Sequence, residues 1–382
     1  MAPPAKSPLT FSITSTIKNI PLKDWDRLFG EDIIEGYGYH KTIEEAGMKE
    51  FSLRYLLASR GDRLVAIIPF FIMDFSFASI IQGPLQKLIL SIQKILKNAL
   101  KMRLLFIGFP TTEEIYLGVS EDEDFGALLD EALKRLHGIS KKERAGVILF
   151  YNLTERDSQL AKLLVKRRFA RMESFPNTLL EICSDSLDEY IKKLGKNTRK
   201  DLRRKLRESS SIAQLKTEIR DDIKNVEKDI YRLYLNNLAN SNVSFETLTP
   251  EFFRRISDNM HGVTKFFLTW DQNRLVAFDL CLVKGDTCID KFVGFDKEVA
   301  FDYHLYYVTF CNNIEWCMKN GVRHYQLGIT DYDPKVRLGA KLISLCAYIK
   351  FRNPALNLMA GFITKLLEPK NFDPALKKLS GF

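Results

Sequence analysis

Histidine and cysteine are scarce in this chain of 382 residues, and neither is arranged to hold a metal. None of the five histidines is paired at ligand spacing, which speaks against a zinc site and leaves no metal-binding residue to name. The six cysteines, Cys183, Cys281, Cys288, Cys311, Cys317 and Cys346, form no C-x-x-C pair and stand mostly in apolar stretches, so they read as reduced core thiols. Long apolar runs are missing as well. The longest stretch without a charged side chain is the 13 residues from Leu233 to Phe245, mostly polar and too short to span a bilayer as a helix. The first residues, MAPPAKSPLTFSITS, lack the apolar core of a signal peptide, so a cytoplasmic location is expected.

What is present is a globular composition, 46% hydrophobic with 27 Phe and 14 Tyr, in a chain long enough for two domains. One supersecondary unit occurs twice. Arg63-Leu64-Val65-Ala66 and Arg274-Leu275-Val276-Ala277 each open the second strand of a β-hairpin, after the polar turns Arg60-Gly61-Asp62 and Asp271-Gln272-Asn273. Each hairpin precedes a strand ending in Gly-Phe, a long amphipathic helix and another apolar strand. Arg63 and Arg274 stand 211 residues apart (274 minus 63), whereas Gly108 and Gly294 stand 186 apart (294 minus 108). The first copy therefore carries 25 extra residues (211 minus 186), which match Ser79 to Arg103.

The net charge of +9 is concentrated in one place. From Lys192 to Arg207, KKLGKNTRKDLRRKLR holds nine basic residues and one acid. At helical spacing Arg199, Arg203 and Arg207 share one face, and Leu202 and Leu206 another. The alternation of helices with hairpins predicts an α/β layered fold with mixed sheets: a first domain over 1–183 with an amphipathic insertion at 79–103, a second over 184–352, and a tail over 353–382. Strands are expected at Thr178–Cys183, leading out of the first half, and at Leu342–Phe351, closing the second.

Two stretches carry a resemblance. Leu187 to Arg207, LDEYIKKLGKNTRKDLRRKLR, resembles the signature s-x-x-Y-x-x-x-L-s-x-x-x-R-x-x-l-R-r of the FemAB-like, or peptidoglycan-biosynthesis-like, tandem GNAT acyltransferases. Gly321 to Ala340, GVRHYQLGITDYDPKVRLGA, resembles their G-x-x-x-x-d-l-G and K-x-x-l-G signatures. The resemblance is strongest from Thr178 to Arg352. It implies two tandem GNAT-like acyl-CoA N-acyltransferase domains that transfer an acyl group from an activated ester or thioester to an amine. The implied donor is acyl-CoA or aminoacyl-tRNA, and the acceptor is small, lipid-linked or part of the cell envelope. The chain departs from the GNAT pattern at one point: FDKEVAFDYH follows Gly294 and FPTTEEIYLG follows Gly108, so neither copy has the glycine-rich loop that cradles CoA pyrophosphate.

Amide formation needs a base, an oxyanion donor and a proton for the leaving group. Asp290, in an apolar strand beside Lys291, suits the base, directly or through water; it reads equally as half of an Asp-Lys pair on a solvated strand face. His304 and Tyr307 begin the next helix, His304 as a second base and Tyr307 as an acid. Tyr307 also falls on the stripe Tyr307, Phe310, Ile314, Cys317, which reads as core. Gly328, Lys335, Arg337 and Gly339 surround a helix start that suits a phosphate or carboxylate, as does the face of Arg199 and Arg203; each reads also as an ordinary loop or a solvated helix. The segment 84–103 has lysines opposite an apolar stripe, the pattern either of a helix lying in a membrane interface, and hence of peripheral membrane contact, or of one packed on its domain. A non-catalytic binder of an anionic lipid or carrier is the reading from outside the enzyme class.

Overall fold

A computed structural model describes residues 7–76, 101–240, 246–371 and 373–379. The chain forms two compact units, one of Met1–Glu44, Met48–Phe175 and Ser344–Phe382, the other of Pro176–Ile343 with Glu45–Gly47.

In the first unit the chain runs β1 (Leu9–Thr14), α1 (Leu22–Phe29), α2 (Tyr37–Glu45), β2 (Ser52–Arg60), β3 (Arg63–Ser76), β4 (Lys101–Ile107), β5 (Gly118–Val119), α3 (Phe125–Lys142), β6 (Val147–Leu153), α4 (Ser158–Lys166) and β7 (Ala170–Glu173). Helix α3 begins where the Asp124 carboxylate accepts the amides of Gly126 and Ala127 at 2.9 and 3.1 Å. Leu128, Leu129, Ala132, Leu136 and Ile139 then fall on one helical face and pack on the sheet with Ile107, Ile148 and Phe150.

The second unit runs β8 (Asn177–Glu181), α5 (Leu187–Lys193), α6 (Lys196–Ile212), β9 (Leu215–Arg220), α7 (Glu227–Asn240), α8 (Pro250–Asn259), β10 (Thr264–Asp271), β11 (Arg274–Lys284), β12 (Thr287–Phe295), α9 (Leu305–Lys319), β13 (His324–Gln326), α10 (Tyr332–Arg337) and β14 (Lys341–Ile343). Its sheet has the order β14-β8-β13-β12-β11-β10-β9. Phe310, Ile314 and Cys317 are buried under α9 as the spacing predicted, with Tyr307 partly buried beside them.

The repeat extends to the hydrogen-bond register. In the first hairpin Arg60 pairs Arg63, Ser59 pairs Leu64 and Ala58 pairs Ala66; in the second Asp271 pairs Arg274, Trp270 pairs Leu275 and Thr269 pairs Ala277. Val65 and Val276 are thus the extra residues of matching β-bulges, and both are buried. The turns match too, since Gly61 and Gln272 both take positive φ, 59° and 51°. In the second unit β11 and β12 are joined by Gly285 and Asp286 alone. The expected insertion replaces that two-residue turn, and its last three residues, Lys101–Arg103, belong to β4, where Asp74 faces Arg103. The rest of it lies outside the described residues.

The run expected as one strand at Leu342–Phe351 is two. β14 stays in the second unit, while β15 (Cys346–Phe351) is inserted between β6 and β7, giving the first sheet the order β1-β2-β3-β4-β6-β15-β7 with β5 on β3. Conversely β8, expected to end the first half, pairs β13 and β14 in the second. Hydrophobic pattern tells that a segment is a strand and not which sheet it joins, so the expected limits at 183 and 352 differ from the contact boundaries after Phe175 and Ile343. The tail forms α11 (Pro354–Leu358), α12 (Ala360–Leu366) and α13 (Pro374–Leu379). Among the described residues no helix is long and apolar enough to cross a membrane.

Gly294 sets the approach of α7 to β12. A Cβ there would lie 2.6 Å from the carbonyl carbon of Leu233 and also strike the Phe278 ring. Backbone cannot yield as a side chain can, so Gly294→Ala should cost about 2 kcal/mol or more, read as a lower urea midpoint at unchanged slope.

Candidate active site

Strands β12 and β13 are parallel neighbours over three residues only, Thr287–Ile289 against His324–Gln326. β12 then continues alone on that side to Phe295, while β13 ends and Gly328, at φ 74°, turns the chain away. The two strands part at a notch. Asp290 is the first residue of β12 beyond the pairing, and Leu327 is its counterpart after β13. A bulge at Lys291, between the pairs Cys281–Asp290 and Leu280–Phe292, bends β12 at the same level.

Polar groups collect at this point. The Tyr325 hydroxyl donates to Asp290 Oδ2 at 2.8 Å and accepts from Asn313 Nδ2 at 3.0 Å. Asn313, on α9, also lies near Asp279 and favours its charged form. Asp279 is the lone acid of the apolar strand RLVAFDLCLVK and is 2% exposed. Burial above all, and then the charge of Asp290, push its carboxyl well above the usual carboxylate range, against a smaller opposing pull from Asn313. Burial thus favours the protonated form of Asp279. Burial likewise raises the Tyr325 phenol, with Asp290 adding to it. On the first turn of α9 the Tyr306 hydroxyl is buried without a hydrogen-bond partner among the described residues, and its acidity is suppressed by burial and by Asp331 and Asp290.

On the other lip Lys335 is buried, and its ammonium donates to the carbonyl of Leu327. The strand register thus brings Asp290 and the anchor of Lys335 to opposite sides of one notch. Gly339, at φ 94°, ends α10, and the Tyr190 hydroxyl donates to the carbonyl of Leu338 beside it. Arg337 is exposed and paired with Asp333 at 2.9 Å.

The other candidates stand apart. His304 Nε2 lies 2.9 Å from Glu208 Oε2, and the same oxygen accepts from Arg204 at 2.6 Å. The Tyr307 ring lies under the Lys205 ammonium, 3.6 Å from its centroid, and meets Tyr306 edge-on at 5.2 Å. Arg203 pairs with Asp188 at 3.0 Å, and Arg199 donates to the carbonyl of Lys192 at 2.8 Å. Asp279, Asn313 and Tyr325 are not singled out by sequence reasoning, whereas Tyr306 belongs to the tyrosine cluster expected to supply a proton at the start of α9. A single acid inside an apolar strand was the available signal for Asp279; nothing in spacing distinguishes the others from core.

The equivalent place in the first unit is built differently. After β4, Gly108 and its successors are tied down: Tyr151 donates to the carbonyl of Phe109, Asn152 Nδ2 to that of Thr112 at 3.0 Å, and the His40 ring stacks on Phe109 at 3.6 Å. Burial lowers His40 well below the usual histidine value, so its ring is neutral there.

Because Asp279 keeps in the folded state a proton that the unfolded chain releases, its contribution to stability is full at low pH. That contribution is lost as pH rises from the ordinary carboxylate value through the raised one. Asp279→Asn keeps the size of the side chain and removes the ionisation. Thermal midpoints between about pH 5 and 9 should show the wild type falling relative to the variant as pH rises.

Residues 196–336 match the model of the Acetyltransferase (GNAT) domain. No curated protein is matched by the sequence. The chain is similar to the solved structure of FemX, with a TM-score of 0.55 at 12% identity over 90% of this chain and 98% of that one. It is similar also to a tandem GNAT protein from the clavulanic acid biosynthesis pathway, with a TM-score of 0.55 at 10% identity over 91% and 99%. A conserved protein of unknown function from Bacteroides thetaiotaomicron gives 0.50 at 10% identity over 89% and 100%. Residues 196–336 thus carry a GNAT domain, and the repeated hairpin-strand-helix-strand order that both units share gives the chain the fold of a tandem GNAT protein.

Proposed function

We propose that the chain is an N-acyltransferase whose working cleft is the β12–β13 notch of the second unit, joining an acyl group from an activated ester or thioester to an amine. The observation that carries this reading is the place of Asp290, at the point where two parallel strands part, hydrogen-bonded by a buried phenol. The amine nitrogen attacks the donor carbonyl and its proton passes to Asp290, directly or through water. The Lys335 ammonium, held at the facing lip, stabilises the oxyanion or a substrate carboxylate. Collapse breaks the carbonyl bond to sulfur or oxygen, and the leaving group takes a proton from Tyr307. Asn313 fixes Tyr325, and through it Asp290. His304, against Glu208, joins α9 to α6. The closed equivalent in the first unit supports assigning the chemistry to the second.

For the donor, acyl-CoA is what a GNAT domain generally uses, and we place its anionic part by Gly328, Arg337, Gly339 and the α6 face of Arg199 and Arg203. One observation favours aminoacyl-tRNA instead. The loop after β12 holds a buried carboxylate, Asp296, clamped by Arg274 at 2.6 Å and Arg232 at 3.1 Å. The segment that holds it, FDKEVAFDYH, stands in place of the glycine-rich loop that cradles CoA pyrophosphate. The acceptor is an amine, small or lipid-linked in the cell envelope. Membrane contact through 84–103 falls outside the described residues, save for the strand residues from Lys101 on.

Asp290→Asn should lower turnover by roughly 10²–10⁴-fold with whichever donor is used, at an unchanged thermal midpoint. Full turnover in that variant would refute the assignment. Binding of charged tRNA should weaken steeply with added salt, and Arg199→Glu with Arg203→Glu should flatten that dependence; CoA thioester binding should respond far less to salt.

A further inference from the structure

Of the twelve large apolar side chains left exposed among the described residues, five fall within eleven positions of the tail: Leu356, Leu358, Met359, Phe362 and Leu366. Leu358 is 90% exposed and Phe362 62%. The helices that carry them are not short of a core. Ala360 and Ile363 pack on the first sheet with Val147, Leu149, Ile349 and Phe351, and Thr364 is buried beside them. The outward face is the anomaly. Met359, Phe362 and Leu366 stand at i, i+3 and i+7 on the side a solvated helix fills with polar residues.

The charge around this face is mostly positive, with Lys370 held by Glu173 at 3.1 Å as well as by Glu368. Lys365, Lys370, Lys377 and Lys378 are all exposed. The two acids of the same stretch are engaged: Glu368 is 13% exposed and meets Lys370 at 3.0 Å, and Asp373 accepts the amides of Ala375 and Leu376 at 2.8 and 3.0 Å. An apolar ridge flanked by lysines fits the boundary between acyl chains and anionic headgroups. A second protein fits it less well, because a stable interface takes roughly 20–30 residues a side and this ridge spans two short helices.

We propose that the face of α11 and α12 bearing Leu358, Met359, Phe362 and Leu366 docks the protein on an anionic lipid surface. It deepens the lipid-linked acceptor of the reading above and rests on that reading for its purpose; the contact itself is measured without any acyl transfer.

The test is co-sedimentation of the full chain with phosphatidylcholine vesicles with and without phosphatidylglycerol. The wild type should bind the anionic vesicles, Leu358→Ser with Phe362→Ser should bind at least about tenfold more weakly, and Lys365→Gln with Lys378→Gln roughly fivefold more weakly per lysine removed. These side chains are exposed, so thermal midpoints and turnover on a soluble amine should stay unchanged, which separates this claim from the catalytic one. Absence of vesicle binding, or equal binding by Leu358→Ser with Phe362→Ser, overturns it. So does light scattering showing a wild-type dimer that this variant dissociates, which would give the face to a second copy of the chain.

Discussion

A parallel strand pair that holds for only three residues governs the second unit. Had β12 and β13 stayed paired, Asp290 and Leu327 would lie side by side in the ladder and the strands would not part at their level. Their separation leaves main-chain and side-chain polar groups together at one level, and each surrounding feature serves to keep it so. The Lys291 bulge bends one strand, Gly328 turns the other, and Gly294 lets α7 press on the strand that continues. Lys335 covers the carbonyl of Leu327. The cost is a carboxyl group, Asp279, buried in β11, and part of that cost is offset because burial favours its uncharged form.

The basic tract also does mechanical work. Eight net charges in a short segment would repel one another, yet Arg204 bridges Asp201 and Glu208 at 2.7 and 2.6 Å, and Lys205 reaches Asp201 at 2.8 Å. Exposed pairs of this kind each contribute little to stability. Their value is positional: Glu208 meets His304, whose own φ of 48° starts α9, and Lys205 covers the Tyr307 ring. The helix read in sequence as an anion face is therefore also the strut on which the first turn of α9, with Tyr306, is set.

Much of the fold was legible because local pattern and register coincide. The R-L-V-A match marked two hairpins that share even their bulged valine, and the stripe of α9 was core as its spacing required. Sheet membership was not legible, since Leu342–Phe351 has one apolar pattern and serves two sheets. The site was half legible. Asp290 and Lys335 stood out as charges in marked contexts, whereas Tyr325 and Asn313 look like any core tyrosine and helical asparagine until register sets them beside an acid. Partners far along the chain, such as Asp188 for Arg203, leave no mark on spacing at all.

Strand β15 lies between β6 and β7, inside the first sheet and not at its edge. β7 makes its pairing with β15, so the first unit lacks an interior strand until the last stretch of chain has been made. The second unit, nearly continuous in sequence, has all its strands by Ile343. On a ribosome the order of birth and the order of completion are therefore reversed: the unit that begins first must wait, with β6 offering an open edge, while the unit behind it can close. That edge is the place where a holding chaperone would be needed during synthesis, and a chain cut short anywhere in the second unit would leave it exposed for good.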